Sequence, residues 1–351
     1  MKITERIQQQ RYLSQKSVLV IIIGIGLYMI FLSLSTDIGA VMQAIKSADI
    51  RLYSLAFIAA IANIIFHSLT WRNLLDNFSL KPSFQRIYLF IWVGQVVDIL
   101  VPAESISGEI ARGYLLNRFI EETSETSLRN NLGHIMTSIL SHRIIYTSIS
   151  LIGLIGGSIA FEYAYGFTPL LAGLIIFMVG GALFSLLLLI LVSFRKRLAW
   201  RIVEAGFRIV EYITRGKIDL AGLKPKARSV LDAFHDGFHL LRAHSWSLLI
   251  PVGFSIMAWI LNLSITFFTL AALDVNIPFS AIIVVFSIID ALQTIPVGVP
   301  GEVGIIEIAM TTLYTVLGVL PVVSATITIL VRVVTMWFKL LIGIPAIRLL
   351  N

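Results

Sequence analysis

Ten ionisable side chains lie within or beside apolar runs of this chain: Asp98, Glu109, Arg112, His142, Arg143, Asp290, Glu302, Glu307, Arg332 and Lys339. A charge in hydrocarbon is costly, so each of them needs a partner or a ligand. Glu109 and Arg112 are three apart and share a face if they sit on a helix. Arg143 and Arg332 fall well inside their apolar runs, hence deep at roughly 1.5 Å per residue. Lys339 lies nearer the end of its run, where a long side chain can reach the interface. A buried guanidinium needs an anion. That anion is either a carboxylate of the chain or a phosphate, which Arg engages through paired N–H groups. For any single residue, internal pairing of Arg143 or Arg332 with Asp98, Glu109, Asp290 or Glu302 is as good a reading as ligand binding. As a group the charges converge on two interrupted segments, which points to a site for a phosphate-bearing, amphiphilic ligand. The candidate binding set is Asp98, Glu109, Arg112, Arg143, Asp290, Glu302, Glu307 and Arg332. Replacing Arg112 or Arg332 by Ala is expected to abolish the function while the protein still folds.

The same carboxylates suit acid/base or metal chemistry, but no HExxH, GxSxG or P-loop pattern accompanies them. His235 and His239 have the i,i+4 spacing of metal ligands, yet no third ligand is identifiable, and an amphipathic helix accounts for them better. With no Cys in the chain there is neither a thiolate site nor a disulfide framework. No catalytic residue, cofactor or metal is expected, and direct use of ATP is not expected either.

The elements that must hold these residues are two broken segments, Phe84–Phe119 and Pro278–Leu320. Each begins as an apolar run, meets an Asp (Asp98, Asp290), then a Pro (Pro102, Pro296), then a Gly-Glu pair (Gly108-Glu109, Gly301-Glu302). An uninterrupted spanning helix needs about 20 apolar residues, and proline ends or kinks one. Irregular backbone at membrane depth needs shelter from protein or a water-filled cavity. Paired, Gly/Pro-interrupted segments are the best sequence pointer to a transporter's binding site. Helix N-termini after Pro102 and Pro296 would offer N–H groups to an anion.

Composition fixes the class. Of 351 residues, 57% are hydrophobic and 13% charged, against about 25% charged in soluble domains. The chain reads as an all-α, polytopic integral membrane protein, one transporter-like domain over 1–351. Its net charge of +7 speaks to loop orientation and anionic headgroups rather than nucleic acid. The basic N-terminal residues 1–16 are expected to be cytoplasmic, with no cleavable signal. Spans are expected at Val18–Leu34, Leu52–Trp71, Leu132–Phe161, Pro169–Phe194, Trp246–Leu273 and Val323–Leu350, with Ser35–Ile50 as a loop. The run of small residues Gly153–Gly157 suits close helix packing. Residues 195–245 form a basic amphipathic cytoplasmic loop, with eleven Lys/Arg against five acids over Arg195–Arg242. Within it Leu198, Ile202, Ala205, Ile209 and Ile213 share a helical face, and Ser229–Leu241 forms a second, shorter amphipathic stretch; both suit the membrane surface. If each broken segment dips in and returns, the result is six full spans plus two re-entrant elements entering from opposite faces. That suggests an inverted repeat, with both termini in the cytoplasm.

These motifs resemble a known family. Pro102 with Gly108-Glu109-Ile110-Ala111-Arg112 is similar to its first signature, a turn followed by Gly-Glu/Asp-x-x-Arg. Ile295 to Glu307 is similar to its second, a Pro-Gly-Gly-x-Gly-x-x-Glu turn. Arg332 to Trp337 resembles its closing Arg-x-x-x-x-Trp. The family is the lysylphosphatidylglycerol synthase transmembrane region, or flippase-like domain family, and the resemblance runs along nearly the whole chain. There are two departures. Where the family often has Glu-Arg-x-x-Asp, this chain has His142-Arg143-Ile144-Ile145-Tyr146, and the second Gly of the turn is Glu302.

The resemblance implies movement of polar lipids between leaflets: aminoacylated phosphatidylglycerol, or, in archaeal relatives, polyprenyl-phosphate sugars. The aminoacyl-transfer domain of larger members has no counterpart here, so lysine transfer is not expected. The expected partners are membrane lipids with anionic or polyprenyl-phosphate headgroups in the cell membrane, with a homo-oligomer left open. The alternatives are an intramembrane transferase acting on a polyprenyl-phosphate sugar and a non-transporting accessory subunit.

Overall fold

The computed structural model describes residues 22–101, 106–123, 128–214, 223–293 and 298–350. Every regular element among them is helical, as a chain whose backbone must satisfy itself inside lipid requires. Pro102 and Pro296, the expected breaking residues, lie outside the described residues, as does the basic N-terminus.

The first helix, α1 (Ile22–Ser35), bends by 99° into α2 (Ile38–Ser47). The stretch expected as a loop therefore carries a helix. Its reason is local: Asp37 accepts from the Gly39 N–H at 2.7 Å as an N-cap, while Ile38, Val41 and Ile45 form an apolar face that packs near Ala325. Next come α3 (Ile50–Asp76), α4 (Phe84–Leu100) and α5 (Ser107–Thr123). Helices α4 and α5 make an antiparallel hairpin: Asp98 meets Ser107 and Gly108, and further back Arg86 covers the Phe119 ring at 3.8 Å. A Cβ on Gly108 would collide with the Gly94 carbonyl and the Asp98 carboxylate. The absence of a side chain there is what lets the two helices close.

The long α6 (Leu128–Tyr165) and α7 (Pro169–Phe194) follow. On α6, Gly153 and Gly157 admit Trp259 and Ile283, so the small-residue run is a packing surface, as its composition suggests. Ile176, Phe177, Phe184 and Leu187 of α7 are exposed, which fits a helix facing lipid.

Helices α8 (Lys196–Thr214) and α9 (Leu223–Ala243) carry the basic charge. On α8 the apolar face is left open, with Ile202 and Ile209 exposed. On α9 it is not: Phe234 and Phe238 are buried, and Gly237 lies against Thr137 of α6. The second amphipathic stretch is therefore a protein-packing helix and not a membrane-surface one. Its partner is α6, where the Thr137 hydroxyl donates to the Phe234 carbonyl at 2.9 Å.

A 3-10 turn leads into α10 (Leu249–Ala272), which packs extensively on α3. Then come α11 (Phe279–Leu292), a 3-10 turn at Pro300–Glu302, and α12 (Ile305–Val316). The chain continues through α13 (Pro321–Arg332), a π-helical stretch at Val333–Trp337 and α14 (Phe338–Leu349) as one apolar helix. Among the described residues five helices are long and apolar enough to cross a membrane, or six if α1–α2 is one bent path. The protein is an all-α polytopic membrane protein.

Candidate functional site

The broken elements and the long helices enclose a cavity of about 300 Å³. Asp98 from α4, Glu109 and Arg112 from α5, Arg143 from α6, Asp290 from α11 and Arg332 from α13 all reach it. Residues spread over more than two hundred positions are thus brought to one place, on both broken segments. Glu302 and Glu307 do not line it.

In both interruptions a carboxylate accepts from a glycine N–H, but the second adds left-handed backbone. Asp98 sits near the end of α4, and its Oδ1 accepts from the Gly108 N–H at 2.7 Å and from the Ser107 hydroxyl at 3.1 Å. The carboxylate caps the start of α5, so the N–H group there that was expected to be open to an anion is already occupied. In the second segment Gly301, Glu302 and Gly304 all have positive φ (58°, 49° and 91°). Two of the three are glycines, as left-handed backbone favours. The Gly304 N–H donates to Glu307 Oε2 at 2.6 Å, closing the turn onto α12 in the same fashion.

Arg332, expected to face a ligand, is turned inward. Its Nε donates to Glu307 Oε1 at 2.5 Å, and its Nη2 donates to the Gly301 carbonyl at 2.6 Å. Only one edge of this guanidinium is left for the cavity. Glu307 is committed twice, to Arg332 and to Gly304. Glu302 is 1% exposed and belongs to the packed turn. Lys339 lines the cavity and donates to Gln95 Oε1 at 2.9 Å.

Arg143 and Arg112 converge on one carboxylate. Arg143 Nη1 donates to Glu109 Oε1 at 3.2 Å, while Arg112 Nη2 stands 3.8 Å from the same oxygen. Arg112 is 9% exposed, and its Nε is buried without a hydrogen-bond partner among the described residues. Its guanidinium lies 5.0 Å from the centre of the Trp71 ring, within cation–π range, and Trp71 is held by an N–H donated to the Ser138 hydroxyl at 3.0 Å. Asp290 accepts from the Ser150 hydroxyl at 2.8 Å. The arrangement is a mixed-charge cavity in which one guanidinium, Arg112, has hydrogen bonds still to give.

Sequence reasoning missed part of the wall: Asn63 and His67 on α3, Gln95 on α4, Tyr146 on α6 and Asn262 on α10. A signal was present. Asn63 and His67 are i,i+4 within an apolar span, Gln95 and Asp98 are i,i+3, and His142 and Tyr146 are i,i+4 beside Arg143. Polar residues at helical spacing inside a span mark one wet face. His235 and His239 lie away from this site on α9, with His235 Nδ1 2.8 Å from the Leu231 carbonyl. Among the described residues no cluster of three or more His, Asp or Glu could hold a metal ion.

Fold and cavity define a polytopic α-helical membrane protein with a buried, mixed-charge site between interrupted helices. The chain belongs to the lysylphosphatidylglycerol synthase TM region family, whose sequence profile matches residues 18–343. It is similar to a UPF0104 membrane protein of Pyrococcus horikoshii, 22% identical over 334 residues, covering 93% of this chain and 95% of that one. Two UPF0104 membrane proteins of Methanothermobacter thermautotrophicus are each 21% identical. One match covers 95% of this chain and 96% of the relative; the other covers 87% and 85%.

Proposed function

We propose that this protein is a lipid translocase that moves a phosphate-bearing polar lipid between leaflets through the cavity. The observation that carries the reading is Arg112, a buried guanidinium lining the cavity with its Nε unpartnered among the described residues. A guanidinium binds phosphate through paired N–H groups, and a headgroup held there escapes most of the cost of crossing hydrocarbon. The cavity, at about 300 Å³, lies at the small end of ligand pockets. It suits a headgroup, with the tails left in lipid. The family name, with its lysylphosphatidylglycerol, makes phospholipid headgroups the first class to test, and polyprenyl-phosphate sugars the second.

In this reading the α4–α5 hairpin and the α11–α12 element are re-entrant, dip in from opposite faces and form an inverted repeat. Both termini and the basic α8–α9 region lie in the cytoplasm of a cell-membrane protein. The open apolar face of α8 rests on the headgroup region, and its basic face gathers anionic lipid near the entrance.

The test is leaflet exchange of fluorescent lipids in liposomes containing the pure protein. Phosphatidylglycerol, its lysyl form and a polyprenyl-phosphate sugar are offered, with and without a pH gradient. Exchange above protein-free liposomes that is lost in Arg112→Ala supports the translocase and names its lipid. No exchange of any lipid overturns it. Metal-dependent turnover of the sugar lipid would then mark a transferase, and inertness in both assays an accessory subunit.

A further inference from the structure

Beside Arg112 the cavity holds a feature that lipid binding alone does not use. His67 on α3 and His142 on α6 face each other, with Nδ1 of the first 3.1 Å from Nε2 of the second. The Tyr146 ring packs on His67, centroids 5.1 Å apart. His142 is 4% exposed, and its other nitrogen, Nδ1, is buried without a hydrogen-bond partner among the described residues. A hydrogen bond between two imidazoles needs one donor nitrogen and one acceptor nitrogen. The pair is therefore complete as two neutral rings and retains capacity for one further proton.

The surroundings decide when that proton can be held. Among the described residues four cations line this cavity: Arg112 from α5, Arg143 from α6, Arg332 from α13, which is paired with Glu307, and Lys339 from α14. The fields of Arg112 and Lys339 reach His67, and that of Arg112 reaches His142. The carboxylates Asp98, Glu109 and Asp290 also line the cavity, and each already accepts a hydrogen bond: from Gly108 and Ser107, from Arg143 and from Ser150. From α10 the cavity receives uncharged groups such as Asn262, which donates to the Tyr146 hydroxyl at 3.3 Å. In an empty cavity burial in low-dielectric surroundings comes first, and the nearby guanidinium and ammonium second, in opposing a further positive charge on the rings. A phosphodiester seated on Arg112 cancels one of those charges in a medium of low dielectric, where the change is felt strongly. Once added, the proton makes the ring–ring contact a charge-assisted hydrogen bond, imidazolium donating to neutral imidazole, which holds it better than either ring alone would.

We propose that the His67–His142 pair takes up one proton as an anionic lipid headgroup docks on Arg112, so that the site carries proton and headgroup together. This rests on the headgroup reading given above. The proton comes from bulk water, only an N–H bond forms, and the loaded site gains one negative and one positive charge. A transmembrane pH gradient then drives net headgroup movement toward the less acidic side.

The experiment is calorimetric titration of the detergent-solubilised protein with a short-chain phosphatidylglycerol, in buffers of different ionisation enthalpy, between about pH 5.5 and 8. The expected result is uptake that approaches one proton per headgroup toward the lower end of that range and fades toward the upper end, with affinity rising up to about tenfold per unit fall in pH where uptake is complete. In the His67→Asn/His142→Gln double variant the uptake and the pH slope vanish, whatever affinity remains. If the double variant does not fold, each single variant is titrated instead and is expected to show a reduced slope. Binding with no proton uptake in the wild-type protein, or with the same slope in the variants, overturns the coupling and leaves the headgroup reading standing. No binding at any pH overturns the headgroup reading, and the coupling with it.

Discussion

Arg332 Nε donates to Glu307 Oε1 at 2.5 Å, and both residues are almost fully enclosed, 5% and 7% exposed. The pair joins the last span to the start of α12, and the second edge of the guanidinium holds the Gly301 carbonyl of the preceding turn. Arg332 is thus the clamp of the second interrupted segment, not a free phosphate ligand.

The consequence is a stability phenotype. Breaking a buried pair by removing one partner strands the other charge and costs about 3–5 kcal/mol. Arg332→Met is expected to lower the melting temperature in detergent sharply, and Glu307→Gln to do so less, since an amide still accepts from Gly304. The double variant is expected to melt above Arg332→Met, because no lone charge stays buried. A double-mutant cycle on the melting curves measures this coupling. Additive losses would show that the pair is not a unit.

Arg112 is expected to behave in the opposite way. It lines the cavity, makes only a 3.8 Å contact to Glu109 and lies over Trp71. Arg112→Gln is expected to keep its melting temperature within a few degrees of wild type while lipid exchange falls at least tenfold, the loss of about 1.4 kcal/mol of headgroup interaction. Arg112→Lys retains a charge but not the paired donors, and recovers exchange only in part. Full exchange in Arg112→Gln would remove the residue from the transport path.

The contrast between these two arginines shows where the sequence stops being legible. Both are cations on or beside the broken segments, and the pattern of Asp, Pro and Gly-Glu placed both beside one site. Pairing was invisible because it depends on which way a side chain leaves its helix. Arg332 points at α12 and Arg112 lies over Trp71 at the cavity wall, and no spacing encodes that. The long spans were legible because their apolar runs are uninterrupted. Helix α2 was not, because its ten residues mix polar and apolar positions, and its helicity owes much to the Asp37 cap and a tertiary contact. Helix α9 was legible as amphipathic, but not in what covers its apolar face. A hydrophobic stripe looks the same whether lipid or α6 lies over it. His67 and Asn63 were passed over because neutral polar residues in a span draw less notice than charges, though their i,i+4 spacing was there to read.

The α4–α5 hairpin depends on a close backbone approach at Gly94 and Gly108. A methyl on Gly108 would overlap the Gly94 carbonyl and the Asp98 side chain. Gly108→Ala is expected to cost about 1–3 kcal/mol by overpacking and to displace Asp98 from its cap. Gly156, with open space where its Cβ would be, serves as the control, and Gly156→Ala is expected to melt near wild type. Thermal melts of the two variants side by side decide the point. Equal melting temperatures would mean that the hairpin tolerates separation.

On α8 the exposed apolar residues Ile202 and Ile209 alternate with a basic face that includes Arg197, Arg201 and Arg208. Each cation near an anionic surface is worth about 1 kcal/mol. Changing all three to Gln is expected to reduce co-purifying anionic lipid severalfold, and to slow exchange in liposomes rich in phosphatidylglycerol while leaving exchange in neutral liposomes unchanged. Lipid analysis of the purified proteins and the same exchange assay measure both. An equal effect in both kinds of liposome would indicate a packing role for the helix.

Glu302 offers the sharpest separation of causes. The turn signature that this stretch resembles has Gly at this position, and the backbone here has φ of 49°, a left-handed conformation that a side-chain-bearing residue adopts at a cost of roughly 1–2 kcal/mol. The position thus keeps a glycine-like backbone while holding a carboxylate that is 1% exposed. Two substitutions split these contributions. Glu302→Ala removes the carboxylate and keeps a Cβ in the strained conformation, whereas Glu302→Gly removes both. Glu302→Gly is therefore expected to be more stable than Glu302→Ala by about 1 kcal/mol, whichever way each compares with wild type. If both exceed wild type, burial of the carboxylate costs more than its contacts return. If both fall below it, the carboxylate holds the turn together. Equal stability of the two variants would mean that the turn relaxes away from left-handed backbone once the side chain is cut back.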